Sequence, residues 1–451
     1  MEISELYKIF TEHPVVTTDS RDCPEGSLFF ALKGASFDGN KFAAMALEKG
    51  CAYAVVDEKE YATDPRCILV GDCLETLQQL ARHHRRALGT PIIGITGTNG
   101  KTTTKELTAA VLQKKYNVLY TQGNFNNDIG VPKTLLRLTS AHDIAVVEMG
   151  ASHPGDIRKL VNIVEPDYAI ITNVGRAHLQ GFGSFEGVIR TKGELYDFMR
   201  QRGSWDAPES PVINDWQKRC VFIDAENPYL NSIAHGLNLV RYGCADDDSL
   251  WVSGEVKSCD PALRFVWRHN SGSFHSIGHE LPTKLIGDYN ITNMLAAVSI
   301  GLYFGVKPDL IDRALMAYTP SNNRSQFEQT ADNRLIVDAY NANPTSMAAS
   351  LKNFSEMRAT EKMCIIGDMK ELGTVSHEEH QKIVDILKNS GIDTVWLVGP
   401  EFEHCDAPAT FRKFNDVEEV KEAIRADKPT GKYILVKGSN STKLFQLPEL
   451  L

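Results

Sequence analysis

The chain has 451 residues, 42% hydrophobic and 24% charged, an ordinary balance for a soluble globular protein and too long for one compact core, so two or three domains are expected. Lys and Arg number 48 against 58 Asp and Glu, and the net charge of -10, with no basic stretch to offset it, argues against nucleic acid or an anionic membrane as the main partner. Nine cysteines without a C-x-x-C pair argue against a disulfide framework and a zinc cluster, and for a reducing cytoplasm.

From the N-terminus, MEISELYKIF lacks the cationic start and long apolar run of a signal peptide. No apolar run anywhere approaches the ~20 residues that span a bilayer. An apolar run at 27–32 predicts a strand, KGASFDGN a loop, 42–49 a helix and 52–56 a second strand, together a small mixed α/β domain over 1–85. Residues 74–88 have helical periodicity and end in HHRRALG before Pro91, which suits a linker helix. A buried-type strand, PIIGIT, then runs into a glycine-rich turn and a helix. Similar strands at 143–148 and 167–173, separated by helical stretches, predict a doubly wound parallel sheet covered on both faces. Between 211 and 284 short alternating segments such as LRFVWRH predict an antiparallel appendage, and a helix over 290–304 stops at Gly305. Beyond TPSNNRSQ, strands at 334–338, 363–367, 394–399 and 433–437 alternate with helices, a second, Rossmann-like α/β layer. The expected fold class is α/β in three domains, 1–85, 86–320 and 321–451, with an inter-domain hinge near Ser321. No long coiled-coil pattern demands an oligomer, so a monomer is expected.

Gly97, Thr98, Asn99, Gly100, Lys101, Thr102 and Thr103 lie between a buried strand and a helix. Small residues let backbone N–H groups close around phosphate oxygens, and the helix N-terminus adds partial positive charge. Lys101 would reach the β- and γ-phosphates and Thr102 would hold Mg²⁺. The spacing departs from the general G-x-x-x-x-G-K-[ST], since Ile95 stands five before Gly100. A tight turn with a solvated lysine needs only the glycines, whereas strand, glycines, Lys, Thr and helix together point to phosphate. Glu148 ends the AVVEMG strand and His178 lies beyond the AIITNVG strand. Each alone reads as a cap or a surface group; together, after neighbouring strands, they make a candidate Mg²⁺ pair. Lys192 shares one helical face with the apolar Val188, Leu195 and Met199, so it must snorkel, pair with an acid or lose its charge.

GTNGKTT, GNFNNDIGVPKTLL, EMGASHPGDI, ITNVGRAHLQGFGS and TKGELYD, in that order, resemble the Mur ligase family. TTDSRDCPEGSLFFALKGASFDGNKF in the first domain and DAYNANPTSM, GDMKELG and VKGSNS in the last extend the resemblance over nearly the whole chain. It implies an ATP-dependent ligase of peptidoglycan precursor synthesis that activates a carboxylate as an acyl phosphate and joins it to an amine. DAYNANP and GDMKELG resemble the members that add D-alanyl-D-alanine to a UDP-N-acetylmuramoyl-tripeptide. The resemblance implies two Mg²⁺ ions, held by Thr102, Glu148, His178 and a carbamylated Lys192. It further implies Asn290 and Asn293 at adenine, Arg324 at the γ-phosphate, and Asp338 near the ribose. Ser20, Arg21 and Ala35, Ser36 and Phe37 would lie near the uridine diphosphate, and Asn124, Asn126 and Asn127 near the muramoyl part. Tyr340, Asn341 and Asn343 would seat the dipeptide. Tyr289 and Asn40 depart from the pattern, standing where many members have His, and Ala339 where a small polar or acidic residue is commoner. Two other readings stay open: a member adding a single amino acid, and a P-loop regulatory ATPase without ligase chemistry, which leaves Glu148, His178 and Lys192 together unexplained.

Overall fold

The computed structural model describes every residue except 203, 207, 211, 215, 246, 272, 273, 276 and 321–324, and, in addition, leaves out the side chains of 271, 274 and 275. Arg324 and the expected hinge at Ser321 therefore lie outside the described residues. Three sheets carry the architecture.

The first has four parallel strands in chain order, Val16–Thr17, Leu28–Phe30, Tyr53–Val56 and Cys67–Leu69. The helix Cys73–Leu88 follows, opened by Asp72, whose carboxylate accepts from the Glu75 amide at 2.7 Å, and closed by Gly89 at φ 67°. Its buried residues Leu77, Leu80, Ala81 and His84 recur at helical spacing and turn one stripe inward, where they share a core with Leu6 and Phe10.

The middle sheet holds ten strands among the described residues. Ile92–Thr96, Ile144–Glu148, Tyr168–Ile171 and Cys220–Asp224 are buried along their whole length, as strands covered on both faces must be. Parallel pairing runs from Val118–Tyr120 through these strands to Leu239–Gly243 and Val252–Cys259; only beyond, at Ala262–Ser271 and His279–Ile286, does it become antiparallel. The expectation of an antiparallel appendage over 211–284 is corrected accordingly. Its first three strands continue the parallel sheet, because alternation reports which face is covered and not which partner is paired.

At the amino end of this sheet Asp167 is buried under three guanidinium groups. Its Oδ1 accepts from Arg202 (2.8 Å) and Arg219 (3.2 Å), and its Oδ2 from Arg85 and the Ile92 amide, both at 3.1 Å. Arg85 belongs to the helix Cys73–Leu88, so this clasp ties the first unit to the middle sheet.

The last sheet runs Gln326–Gln329, Arg334–Asp338, Tyr433–Lys437, Lys362–Gly367, Thr394–Val398 and Arg412–Phe414, parallel apart from the first pair. Leu179, Phe182 and Val188 of the middle unit share one core with Met369, Leu372 and Ile366 of the last, so the two α/β layers are packed and not merely tethered. All nine cysteines are free thiols. Among the described residues no helix is long and apolar enough to cross a membrane.

Candidate active site

The strands Ile92–Thr96, Ile144–Glu148 and Tyr168–Ile171 point their carboxyl ends at a cleft of about 890 Å³, walled on its far side by the last sheet. This is where open α/β sheets bind ligands.

The phosphate loop forms the floor. Gly97 has φ 147°, and a Cβ there would lie 2.0 Å from Thr172 Oγ1; Gly100 has φ 77° and would meet Asn293 Oδ1 at 2.5 Å. Both positions exclude a side chain, because the loop packs closely on Thr172 and Asn293 there. Asn173 braces the loop, accepting from the Asn99 amide at 2.9 Å and donating to the Asn99 carbonyl at 3.0 Å. Lys101 opens the helix Lys101–Leu112 and folds back onto the carbonyls of Gly97 (2.8 Å) and Thr98 (2.9 Å). A phosphate would replace those carbonyls with a charged acceptor.

Glu148 is buried at the end of its strand. Its Oε2 accepts from Thr102 Oγ1 at 3.0 Å, its Oε1 from Asn126 Nδ2 at 2.8 Å, and the buried Lys105 Nζ stands 3.9 Å from Oε2. A carboxylate beside the loop hydroxyl fits Mg²⁺, which keeps several waters and is held by one or two carboxylates plus phosphate. Among the described residues no group of three or more His, Cys, Asp or Glu side chains forms a cation cage. The fit therefore depends on His178 and on a modified Lys192. His178 pairs through Nδ1 with Glu371 of the last unit. Burial holds its pKa below the usual imidazole range, and Lys101 and Lys192 add to that, against Glu371. The neutral ring is the form that ligates a metal, and the burial favours it.

Lys192 lies in the helix Phe185–Gln201 with Val188, Leu195 and Met199, all buried, as the helical face predicts. The side chain is 2% exposed, its Nζ 3.5 Å from the Ala151 carbonyl and 5.6 Å from the centre of the Phe182 ring. Burial first, then Lys101, pushes its pKa well below the ordinary lysine range. Carbamylation requires the amine in its neutral form, the form that this burial favours.

Thr98 to Thr103, Asn124, Asn126, Asn127, Glu148, His178, Asn290, Asn293, Asp338, Tyr340 and Asn341 all line the cleft. Some have protein partners as well. Asn293 accepts from Thr104 Oγ1 (3.0 Å) and donates to Asn290 Oδ1 (2.8 Å), and Asn127 Oδ1 accepts from the Gly130 amide at 2.8 Å. Asn343 caps the helix Pro344–Glu356 and donates to Asn99 Oδ1 at 2.7 Å, so it joins the last unit to the phosphate loop. Ser20, Arg21, Ala35, Ser36 and Phe37 do not line this cleft. They sit on the first unit, where Phe37 is 58% exposed and Arg21 pairs with Asp19 at 2.8 Å. Of the departures from the family pattern, Tyr289 lines the cleft with its hydroxyl 3.2 Å from Ser325 Oγ, Asn40 is buried against Asp38 and Asp57, and Ala339 is buried. The sequence reasoning missed Lys105, Asn173, Glu371 and Lys437, which pairs with Asp338. Lys437 and Glu371 lie in VKGSNS and GDMKELG, where the motif was visible but the partner was not.

A glycine-rich phosphate loop facing a second α/β layer across an acid, an imidazole and a buried lysine defines a nucleotide-dependent enzyme of the P-loop type. The chain belongs to the Mur ligase family. Its residues 14–85 match the model of the Mur ligase family catalytic domain, 95–301 the Mur ligase middle domain, and 323–440 the Mur ligase glutamate ligase domain. It is similar to the UDP-N-acetylmuramoyl-tripeptide–D-alanyl-D-alanine ligase of Bacillus subtilis (strain 168), 33% identical over 444 residues that cover 96% of this chain and 92% of the relative. The enzyme of the same name from Escherichia coli (strain K12) is 35% identical over 387 residues, covering 86% and 81%. Among solved structures it resembles MurF ligase from Thermotoga maritima in complex with ADP, with a TM-score of 0.82, 25% identity and coverage of 97% and 96%.

Proposed function

We propose that this chain is an ATP-dependent ligase that joins D-alanyl-D-alanine to UDP-N-acetylmuramoyl-tripeptide in peptidoglycan precursor synthesis, acting in the cytoplasm as a monomer. The observation that carries the reading is a single cleft lined by the phosphate loop, Glu148 and His178 on one side and Asp338, Tyr340 and Asn341 on the other. The names of the near-full-length relatives support the choice of substrates. Residues 1–85 would bind the UDP end through Ser20, Arg21, Ala35, Ser36 and Phe37. Residues 86–320 would bind ATP, and 321–451 would bring the dipeptide and close the site.

A carboxylate is a poor acyl donor. An oxygen of the tripeptide's terminal carboxylate therefore attacks the γ-phosphorus, the bond to ADP breaks, and an acyl phosphate forms. The loop amides and Lys101 hold the phosphates, with Lys101 exchanging the Gly97 and Thr98 carbonyls for phosphate oxygens. Thr102, Glu148, His178 and carbamylated Lys192 would hold Mg²⁺, which when bound neutralises the crowded anionic oxygens. Asn290 and Asn293 would lie at adenine, Asp338 near the ribose, and Arg324 at the γ-phosphate, this last on the family resemblance alone. Asn124, Asn126 and Asn127 would face the muramoyl part, and Tyr340, Asn341 and Asn343 the dipeptide. The packed core between the last two units would exclude water from the labile acyl phosphate. The dipeptide amine attacks the acyl carbon, and the tetrahedral intermediate collapses to amide and inorganic phosphate.

The test is phosphate release with ATP, Mg²⁺ and UDP-muramoyl tripeptide against a panel of amines. Release with D-alanyl-D-alanine and hardly any with single amino acids is expected. Equal turnover with L-lysine or meso-diaminopimelate would sink the dipeptide assignment, and release without any UDP-substrate would sink the ligase assignment.

A further inference from the structure

His178 and Glu371 come from different sheets and meet at one point. His178 follows the strand Tyr168–Ile171, and Glu371 follows Lys362–Gly367. Both are non-glycine residues in the left-handed region, at φ 49° and φ 63°, a conformation that persists only where the surroundings hold it. Here they do. The Gln180 amide donates to the Glu371 carbonyl at 3.0 Å, and Arg176 pairs with the buried Glu379 at 2.9 Å. The Arg176 amide donates to Thr345 Oγ1 at 3.0 Å, and Leu179 and Phe182 share a core with Leu372. The contact between the two side chains is thus the centre of a built dock and not a stray surface pair.

A neutral imidazole carries its proton on one nitrogen and a lone pair on the other. A carboxylate against Nδ1 draws the proton there and leaves Nε2 as the donor atom, the arrangement by which outer carboxylates orient metal-bound histidines. We propose that Glu371 is a positioning residue of the cation site: it accepts the Nδ1 proton of His178, so that docking of the last α/β unit sets the tautomer in which Nε2 binds a divalent cation. The proposal rests on the reading of His178 as a cation ligand. It couples closure to cation affinity, since the group that prepares the ligand arrives with the closing unit. A carboxylate that instead blocked the imidazole would produce the opposite sign.

The test titrates Mn²⁺ into the full chain with ADP present and reads free Mn²⁺ by electron paramagnetic resonance. Glu371→Ala should weaken binding ~10-fold or more, the usual effect of losing an outer partner. Glu371→Gln, whose amide oxygen still accepts the proton, should weaken it less. The double variant His178→Ala/Glu371→Ala should bind no more weakly than His178→Ala alone, because the two residues act as one unit; a merely structural role would add its own loss. Equal or tighter Mn²⁺ binding by Glu371→Ala would overturn the proposal, and so would additive losses. Unchanged binding by His178→Ala would overturn the reading of His178 itself, a separate failure. Glu371 has a half-exposed side chain, so both single variants should fold, and thermal unfolding checks this.

Discussion

Replacing Glu148 by Gln changes one charge at the centre of the site and almost no volume. Three groups converge on the carboxylate, Thr102 Oγ1 at 3.0 Å, Asn126 Nδ2 at 2.8 Å and Lys105 Nζ at 3.9 Å. The glutamine oxygen can keep the Thr102 bond, and Asn126 can turn its amide to meet the new NH₂, so the local geometry survives. The attraction to Lys105 does not: at 3.9 Å it is about 4 kcal/mol for an effective dielectric of 20. Part of that is returned because a buried carboxylate no longer has to be desolvated, and Glu106, 3.7 Å from the same ammonium, remains as a counter-charge. The net loss of stability should be about 2 kcal/mol, below the range for an uncompensated buried ion. Loss of the carboxylate beside the phosphate loop should cost far more in rate, ~10³-fold or about 4 kcal/mol of transition-state stabilisation. Phosphate release at saturating substrates measures the second, and chemical unfolding without ligands the first. Activity within tenfold of the native chain, about 1.4 kcal/mol, would refute the role given to Glu148.

Three further outcomes are expected. Lys101→Ala should lower kcat by ~10³ while leaving ligand-free unfolding nearly unchanged, because the Gly97 and Thr98 carbonyls to which its ammonium donates belong to its own loop turn; a fall of less than tenfold in a steady-state assay would count against the phosphate loop. Lys192→Ala should nearly abolish acyl-phosphate formation, short carboxylic acids should restore part of it, and Lys192→Arg should stay inactive, since a guanidinium is not carbamylated and stays cationic. Full activity of the Arg variant would end the carbamate idea. Asp167→Asn should cost about 3 kcal/mol, because either amide orientation turns an NH₂ toward two of the four donors around the carboxylate. A urea midpoint equal to that of the native chain would show the arginine clasp to be inert.

Legibility followed locality. The apolar runs at 334–338 and 433–437 became strands with those same bounds, since three or four consecutive buried residues need no knowledge of the partner. Val16–Thr17, Cys67–Leu69 and Arg412–Phe414 are two or three residues long, too short to show a period. The parallel pairing of Leu239–Gly243 with Cys220–Asp224 was hidden because register and direction are set by non-local contacts. The site divides in the same way. Gly97 to Thr103 are contiguous and were readable as one motif, and the burial of Lys192 followed from its neighbours on one helix. Lys437 against Asp338 and Glu371 against His178 are pairs separated by about a hundred residues or more, and no local pattern announces them. Asn343 was read as a dipeptide seat from its motif. Its cap on the helix Pro344–Glu356 and its bond to Asn99 became visible only when the two units were packed together.

The acyl-phosphate account is tested most directly by the fate of an oxygen. UDP-muramoyl tripeptide labelled with ¹⁸O in its terminal carboxylate would be turned over with ATP, Mg²⁺ and D-alanyl-D-alanine, and the released phosphate examined by mass spectrometry. If the carboxylate attacks the γ-phosphorus and the amine then breaks the acyl C–O bond, each phosphate carries one ¹⁸O from the tripeptide. Phosphate free of ¹⁸O, with the amide product still formed, would contradict the account.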